Sequence, residues 1–226
     1  MKFTFYGHAC FEIEINGKSI LFDPFITPNE KASHIDIGNI SPDYIMISHG
    51  HEDHVADALD IAKRSNAKIV SNFEIVSWFG SKGIENCHPM NHGGAWNFDF
   101  GSVKYINAIH SSVLPDGTYG GNPGGFVIDN ADVCFYYSGD TALTYDMKLI
   151  SDEFNLDFAV LPIGDNFTMG IKDAIRASEF VNCNKVIGVH YDTFGFIEID
   201  HNNAISSFKD KGKELILLNI GESIEL

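Results

Sequence analysis

The chain has few cysteines, few positive charges and no long apolar run. Its four cysteines, Cys10, Cys87, Cys134 and Cys183, are widely scattered and form no C-x-x-C pair. That excludes a zinc knuckle and a dithiol redox motif and leaves reduced, partly buried thiols. Against 31 Asp and Glu stand 15 Lys and Arg, a formal net charge of -16. Nucleic-acid binding asks for a basic footprint, so no nucleic-acid partner is expected. No stretch approaches the roughly 20 apolar residues of a membrane helix, so no membrane partner is expected either. The N-terminal Met1-Lys2-Phe3-Thr4-Phe5-Tyr6-Gly7 alternates like a strand and lacks the apolar region of a signal peptide. A cytoplasmic protein is the expectation. Repeats, low-complexity tracts and linkers are missing too. A length of 226 residues with 44% hydrophobic content fits one domain over residues 1–226.

What is present is a succession of strand signals. Phe3 to Tyr6 runs into a Gly7-His8-Ala9 turn. Phe11, Ile13 and Ile15 then alternate with Glu12 and Glu14, the pattern of a half-buried strand. Asn16-Gly17 is a hairpin signal, and Ser19-Ile20-Leu21-Phe22 returns to Asp23-Pro24. Residues 26–41 read as polar and irregular. Beyond them strands alternate with helices. Strands are expected at Tyr44–Ser48, Lys68–Ser71, Val103–Ile109, Gly124–Ile128, Asp132–Tyr137, Phe158–Ile163, Lys185–Val189 and Leu215–Leu218. Helices are expected at Val55–Lys63, Asn72 to about Gly80, Ile171–Val181 and about Asn203–Lys211. Strand runs joined by helices on outer faces imply an α/β protein with two packed sheets.

The richest stretch is His49-Gly50-His51-Glu52-Asp53-His54. It places three imidazoles and the Asp53 carboxylate in a tight loop between a buried strand and a helix. Short side chains there can surround one point, and imidazole with carboxylate suits zinc and other borderline first-row metals. Other strand ends carry Asp23, His110, Asp140 and His190. Loops at one edge of a layered α/β fold converge in space, so these groups are expected to meet at one site.

The order H-x-H-x-D-H, then His110, Asp140 and His190, resembles the metallo-β-lactamase-fold hydrolases. Gly7-His8-Ala9-Cys10-Phe11, Leu21-Phe22-Asp23-Pro24, Ser138-Gly139-Asp140-Thr141 and Gly164-Asp165-Asn166-Phe167-Thr168-Met169-Gly170 narrow the likeness. They resemble a small branch of metal-dependent hydrolases that is similar to the L-ascorbate-6-phosphate lactonases. The resemblance implies a four-layer αββα sandwich with its site at one edge. It implies two divalent metal ions, Zn2+ first, with Mn2+, Ni2+ or Fe2+ as alternatives. His49, His51 and His110 would hold one ion, and Asp53, His54 and His190 the other, with Asp140 bridging.

The expected chemistry is hydrolysis of an ester-like bond, in a lactone or a phosphodiester, of a small molecule by metal-bound hydroxide. Asp53 is the candidate to orient the nucleophile and pass on a proton. His8, in a turn between strands, is the candidate to donate to substrate, or is only a turn histidine. Asp23 either supports a ligand imidazole from behind or forms the turn before Pro24. Asp165 lies at the rim or caps a turn. His88 and His92 read as parts of a surface loop, and His34 and His201 carry no signal beyond polarity. The Gly-rich segment 111–125 reads as a covering loop or as an ordinary long turn. An intact ligand set argues against the competing reading, a metal or metabolite sensor without turnover. Oligomers are possible.

Overall fold

The computed structural model describes all 226 residues, Met1–Leu226. The first sheet gathers β1 (Lys2–Gly7), β2 (Cys10–Ile15), β3 (Lys18–Phe22), β4 (Tyr44–Met46), β5 (Lys68–Asn72) and β6 (Cys87–Met90). The second gathers β7 (Ala95–Phe98), β8 (Gly101–Asn107), β9 (Gly124–Asp129), β10 (Cys134–Tyr137), β11 (Phe158–Pro162), β12 (Lys185–Val189) and β13 (Glu214–Ile216). The last strand, β14 (Ser223–Glu225), returns to the first sheet beside β1. Each sheet thus has seven strands, in the orders β14-β1-β2-β3-β4-β5-β6 and β13-β12-β11-β10-β9-β8-β7. Both are antiparallel at one side and parallel at the other: β3 to β6 and β10 to β13 run parallel.

The strand period of two explains the layers. In β10, Phe135 and Tyr137 point into the space between the sheets, while Cys134 and Tyr136 face helices. Likewise Ile20 and Phe22 of β3 point inward and Leu21 outward. Strands buried on both faces read as continuous apolar runs, as Phe158–Ile163 does. Between the sheets the rings of Phe3, Phe11 and Phe22 stack at 4.9 and 4.4 Å. Each buried ring contributes roughly 1.5–3 kcal/mol, so this stack helps to clamp the sheets face to face.

Six helices cover the outer faces. α1 (Glu52–Val55), α2 (Ala58–Ser65) and α3 (Phe73–Ser81) lie on the first sheet. α4 (Met147–Glu153), α5 (Ile171–Phe180) and α6 (His201–Lys209) lie on the second. The result is the expected αββα sandwich. No helix is long and apolar enough to cross a membrane.

Several expectations need correction. The single helix over Val55–Lys63 is two helices with a break at Ala56–Asp57. Asp57 accepts from the backbone N–H groups of Ile26 at 2.6 Å and Thr27 at 2.9 Å, and its own N–H donates to Pro24 at 3.1 Å. Those distant partners pull the chain out of helical pairing. His88 is not in a surface loop: it lies on β6, half-buried, and pairs with Val70 in register. His92 does lie in the turn after β6, but its ring stacks on Tyr105 at 5.0 Å and its Nε2 meets the Pro123 carbonyl at 2.9 Å. Residues 26–41 contain two short 3-10 turns, Glu30–Ala32 and Ile37–Asn39, with Ile26, Ala32 and Ile40 buried beneath them.

Candidate metal centre

The parallel strands of both sheets deliver their C-terminal ends to one edge, and the polar groups expected at strand ends meet there. His49 and His51 follow β4, and Asp53 and His54 lie in the one-turn helix α1. His110 stands three residues past β8, Asp140 three past β10 and His190 one past β12. Gly139 makes the Asp140 turn possible. Its φ is +60°, and a Cβ there would lie 2.7 Å from both the Gly124 carbonyl oxygen and Ser48 Cβ. His8, Asp23 and His190 also adopt left-handed backbone, at φ of 55°, 42° and 56°. Such conformations cost about 1–3 kcal/mol each in residues other than glycine and collect at functional sites.

One oxygen organises the centre. Asp140 Oδ2 lies 3.0 Å from His190 Nε2, 3.3 Å from His54 Nε2, 3.6 Å from His110 Nε2 and 3.9 Å from His49 Nε2. On one side His49, His51 and His110 bring donor atoms within 4.8 Å of one another, with His49 Nε2 and His51 Nδ1 at 3.0 Å. On the other side His8, Asp53, His54 and His190 do the same. All seven residues read from the sequence as ligands are brought together, and His8 joins them.

His8 is buried, and its Nε2 lies 3.1 Å from Asp53 Oδ2. Its Nδ1 lies 2.9 Å from the Thr193 hydroxyl. Asp23 is fully buried behind the centre, where it accepts from Ser48 N–H at 2.7 Å and the Ser48 hydroxyl at 2.6 Å. Tyr137 OH and His54 Nδ1 complete its shell, the latter at 2.8 Å. A carboxylate only accepts, so His54 Nδ1 carries a proton and Nε2 is the ring atom turned to the centre, where a bound cation would take the place of any proton on it. Asp23 therefore holds the His54 imidazole as well as turning the chain. Asp165 is exposed, and its carboxylate accepts from the Asn166 N–H, which makes it a turn residue beside the rim. His34 and His201 lie outside the cluster, on the Ile220 carbonyl and on Asp192. Ser48, Tyr137, Thr193 and Ser111, whose hydroxyl lies 3.3 Å from His51 Nε2, were not singled out by the sequence. Ser48 directly precedes His49 and Ser111 directly follows His110; Tyr137 and Thr193 carry no local signal.

The electrostatics fit a bound cation. Burial pushes His49 well below the usual imidazole range, and burial with His190 beside it pushes His8 down to about 4. At Asp140 burial works upward, but His190 and His54 overcome it and hold the carboxyl well below its usual range. For His54, burial favours the neutral ring, yet Asp140 and Asp53 raise it well above the ordinary value. Three atoms of the cluster, His54 Nε2, Asp140 Oδ1 and His190 Nδ1, are buried without a hydrogen-bond partner, and His54 Nε2 is turned to the centre, 3.3 Å from Asp140 Oδ2. Unpartnered buried groups of this kind are costly, and a divalent ion at the centre would satisfy His54 Nε2. Imidazole and carboxylate are the donors such ions take.

Comparison with known proteins agrees with this reading. The family description "Beta-lactamase superfamily domain" matches residues 2–190. A UPF0173 metal-dependent hydrolase of Flavobacterium johnsoniae is 62% identical over the whole of both chains. One from Methylacidiphilum infernorum is 50% identical, again over both full lengths. Among solved structures, Igni18, a metallo hydrolase from the archaeon Ignicoccus hospitalis, superposes with a TM-score of 0.88 at 32% identity, covering 100% of this chain and 98% of that one. The isothiocyanate hydrolase from Delia radicum gut bacteria shares the fold, with a TM-score of 0.80 at 18% identity, covering 100% and 99% of the two chains. The chain belongs to the beta-lactamase superfamily and, within it, to the UPF0173 metal-dependent hydrolases. It is a metal-dependent hydrolase.

Proposed function

We propose that the chain hydrolyses an ester-like bond, in a lactone or a phosphodiester, of a small molecule at a dinuclear centre. His49, His51 and His110 would hold one divalent ion, Asp53, His54 and His190 the other, and Asp140 both. Zn2+ is the first choice, with Mn2+, Ni2+ and Fe2+ acceptable to the same donors. The observation that carries the reading is the position of Asp140 Oδ2, within 3.0 to 3.9 Å of ring nitrogens from both histidine groups. When bound, the ions supply Lewis acidity, acidifying water and polarising the bond under attack.

The chain's own groups do the rest. Asp53 is the most accessible carboxylate of the centre, at 27% side-chain exposure against 3% for Asp140, so it can meet an incoming molecule and take a proton. His8 steers it: Thr193 fixes the His8 ring, and the ring fixes Asp53 Oδ2. Removing His8 would free the carboxylate to rotate. The net charge of -16 supports a small-molecule rather than a nucleic-acid partner, and four free thiols support a cytoplasmic setting.

The test is a turnover screen of the purified chain, reconstituted separately with zinc and manganese, against lactones, phosphodiesters and thioesters. Turnover that disappears in Asp53→Ala is the expected result. Tight metabolite binding without turnover in every metal form would make the protein a sensor instead. Oxygen consumption without hydrolysis would move it to redox chemistry.

A further inference from the structure

Eleven large apolar side chains are exposed on the chain, and six stand on three loops at the edge that carries the centre. Phe194 and Phe196 lie past β12, Phe167 past β11, and Ile109, Val113 and Tyr119 past β8. These loops are tied to the site. Phe194 packs on the edge of the His8 ring at 5.3 Å, with the buried Phe25 behind at 6.3 Å. Phe167 and Phe196 meet at 6.2 Å. Ile109 directly precedes His110, and Met169 donates its N–H to the carbonyl of Thr141, next to Asp140. The 190–200 loop is held by more than its ends. The Asp192 carboxylate accepts from Ile199 N–H and meets His201, and the Asp192 N–H donates to Ile197.

The charges around the centre point the same way. None of the hydrogen bonds, ion pairs or ring contacts recorded for His8 and the seven convergent residues involves Lys or Arg. Lys31, which reaches the neighbouring loop, is turned onto the Asp192 carbonyl. A phosphodiester or a polyanion meets no ammonium or guanidinium among the side chains in contact with the convergent residues, and it must approach a chain of net charge -16. Solvent-facing aromatic rings beside a reactive centre gain most by covering apolar substrate surface.

We propose that the substrate is an uncharged lactone or ester whose non-reacting part is alkyl or aryl, laid against Phe194 and its neighbours, with Phe194 setting the preference. This rests on the hydrolytic reading above and selects within it. The reaction it implies is balanced: the acyl C–O bond breaks, the oxygen of water joins the acyl carbon, one proton goes to the departing alkoxide and one to solvent.

Two measurements separate the claims. In the first, γ-alkyl lactams, unreactive uncharged analogues, are titrated into the metal-free chain. Binding should tighten about 2- to 4-fold per added methylene, as expected for partial to full burial of each group. Phe194→Ser should flatten that dependence, Phe194→Leu should keep most of it, and Ile205→Ser on α6 should not alter it. In the second, kcat/KM is measured with zinc for γ-alkyl lactones of rising chain length and for a phosphodiester. The rise with length should sit in KM, be lost in Phe194→Ser, and leave the phosphodiester the poorer substrate. Absence of all turnover, with length-dependent lactam binding intact, would sink the hydrolytic reading and spare the apolar subsite. Lactam binding indifferent to chain length, or a phosphodiester preferred over every lactone, would overturn the proposal.

Discussion

Tyr137, on a strand of the second sheet, donates its hydroxyl to Asp23, at the end of a strand of the first. The bond crosses the sandwich beneath the metal centre and joins residues 114 positions apart. The same carboxylate holds the Ser48 hydroxyl and N–H and the Nδ1 of His54. One buried group thus fixes the two sheets, the loop that carries His49 and the Nδ1 proton of His54.

Asp23→Asn should therefore weaken metal binding by about 10- to 100-fold, the usual effect of losing the partner behind a ligand imidazole. Competition with a chromophoric chelator measures it. Tyr137→Phe leaves Asp23 its other donors and should cost about 1–2 kcal/mol of stability, read by urea unfolding. Unchanged metal affinity in Asp23→Asn would reduce Asp23 to a turn residue.

Metal stoichiometry checks the two ligand groups. At saturation the wild type should hold about two divalent ions per chain, and His51→Ala about one, with hydrolysis lost. Elemental analysis decides it. A single ion at saturation in the wild type, with no second site on titration, would refute the dinuclear assignment.

Asp140→Asn is a different case, because Oδ2 faces histidines of both groups. Occupancy of both sites should fall together while far-UV circular dichroism stays unchanged. Normal metal content and activity in this variant would show that the carboxylate is not shared.

His8 gives a pH prediction for the metal-free protein. Burial and His190 lower it from the ordinary 6.5 to about 4. Below pH 6.5 the unfolded chain takes up a proton at this imidazole and the native protein does not. The stability tied to neutral His8 is thus present at pH 7 and is lost as pH falls from about 6.5 towards 4. At pH 5 the loss is about 2 kcal/mol. Urea titrations at pH 7.5 and pH 5 should show a drop in the wild type that exceeds the drop in His8→Gln by about that amount. Equal drops would mean that native His8 titrates normally.

The sequence alone determined what depends on neighbours along the chain. Alternation in Phe11–Ile15 and the apolar run of Phe158–Ile163 specify strands because side chains on successive residues face opposite sides of a sheet. The spacing H-x-H-x-D-H specifies a cluster of candidate donors because a strand-to-helix turn brings those side chains to one point. Strand-end positions placed His110, Asp140 and His190 at the same edge. Tertiary structure decided what depends on distant partners. The helix over Val55–Lys63 breaks because Asp57 serves the backbone of Ile26 and Thr27, some 30 residues away. The edge strands Cys87–Met90, Ala95–Phe98 and Ser223–Glu225 are half-exposed and show little alternation, so hydrogen bonding to an adjacent strand defines them. The support of the centre, His8 to Thr193 across 185 positions and Tyr137 to Asp23 across 114, leaves no trace in local pattern. A buried carboxylate or imidazole takes its role from whatever the fold packs against it, and only the packed sheets supply those partners.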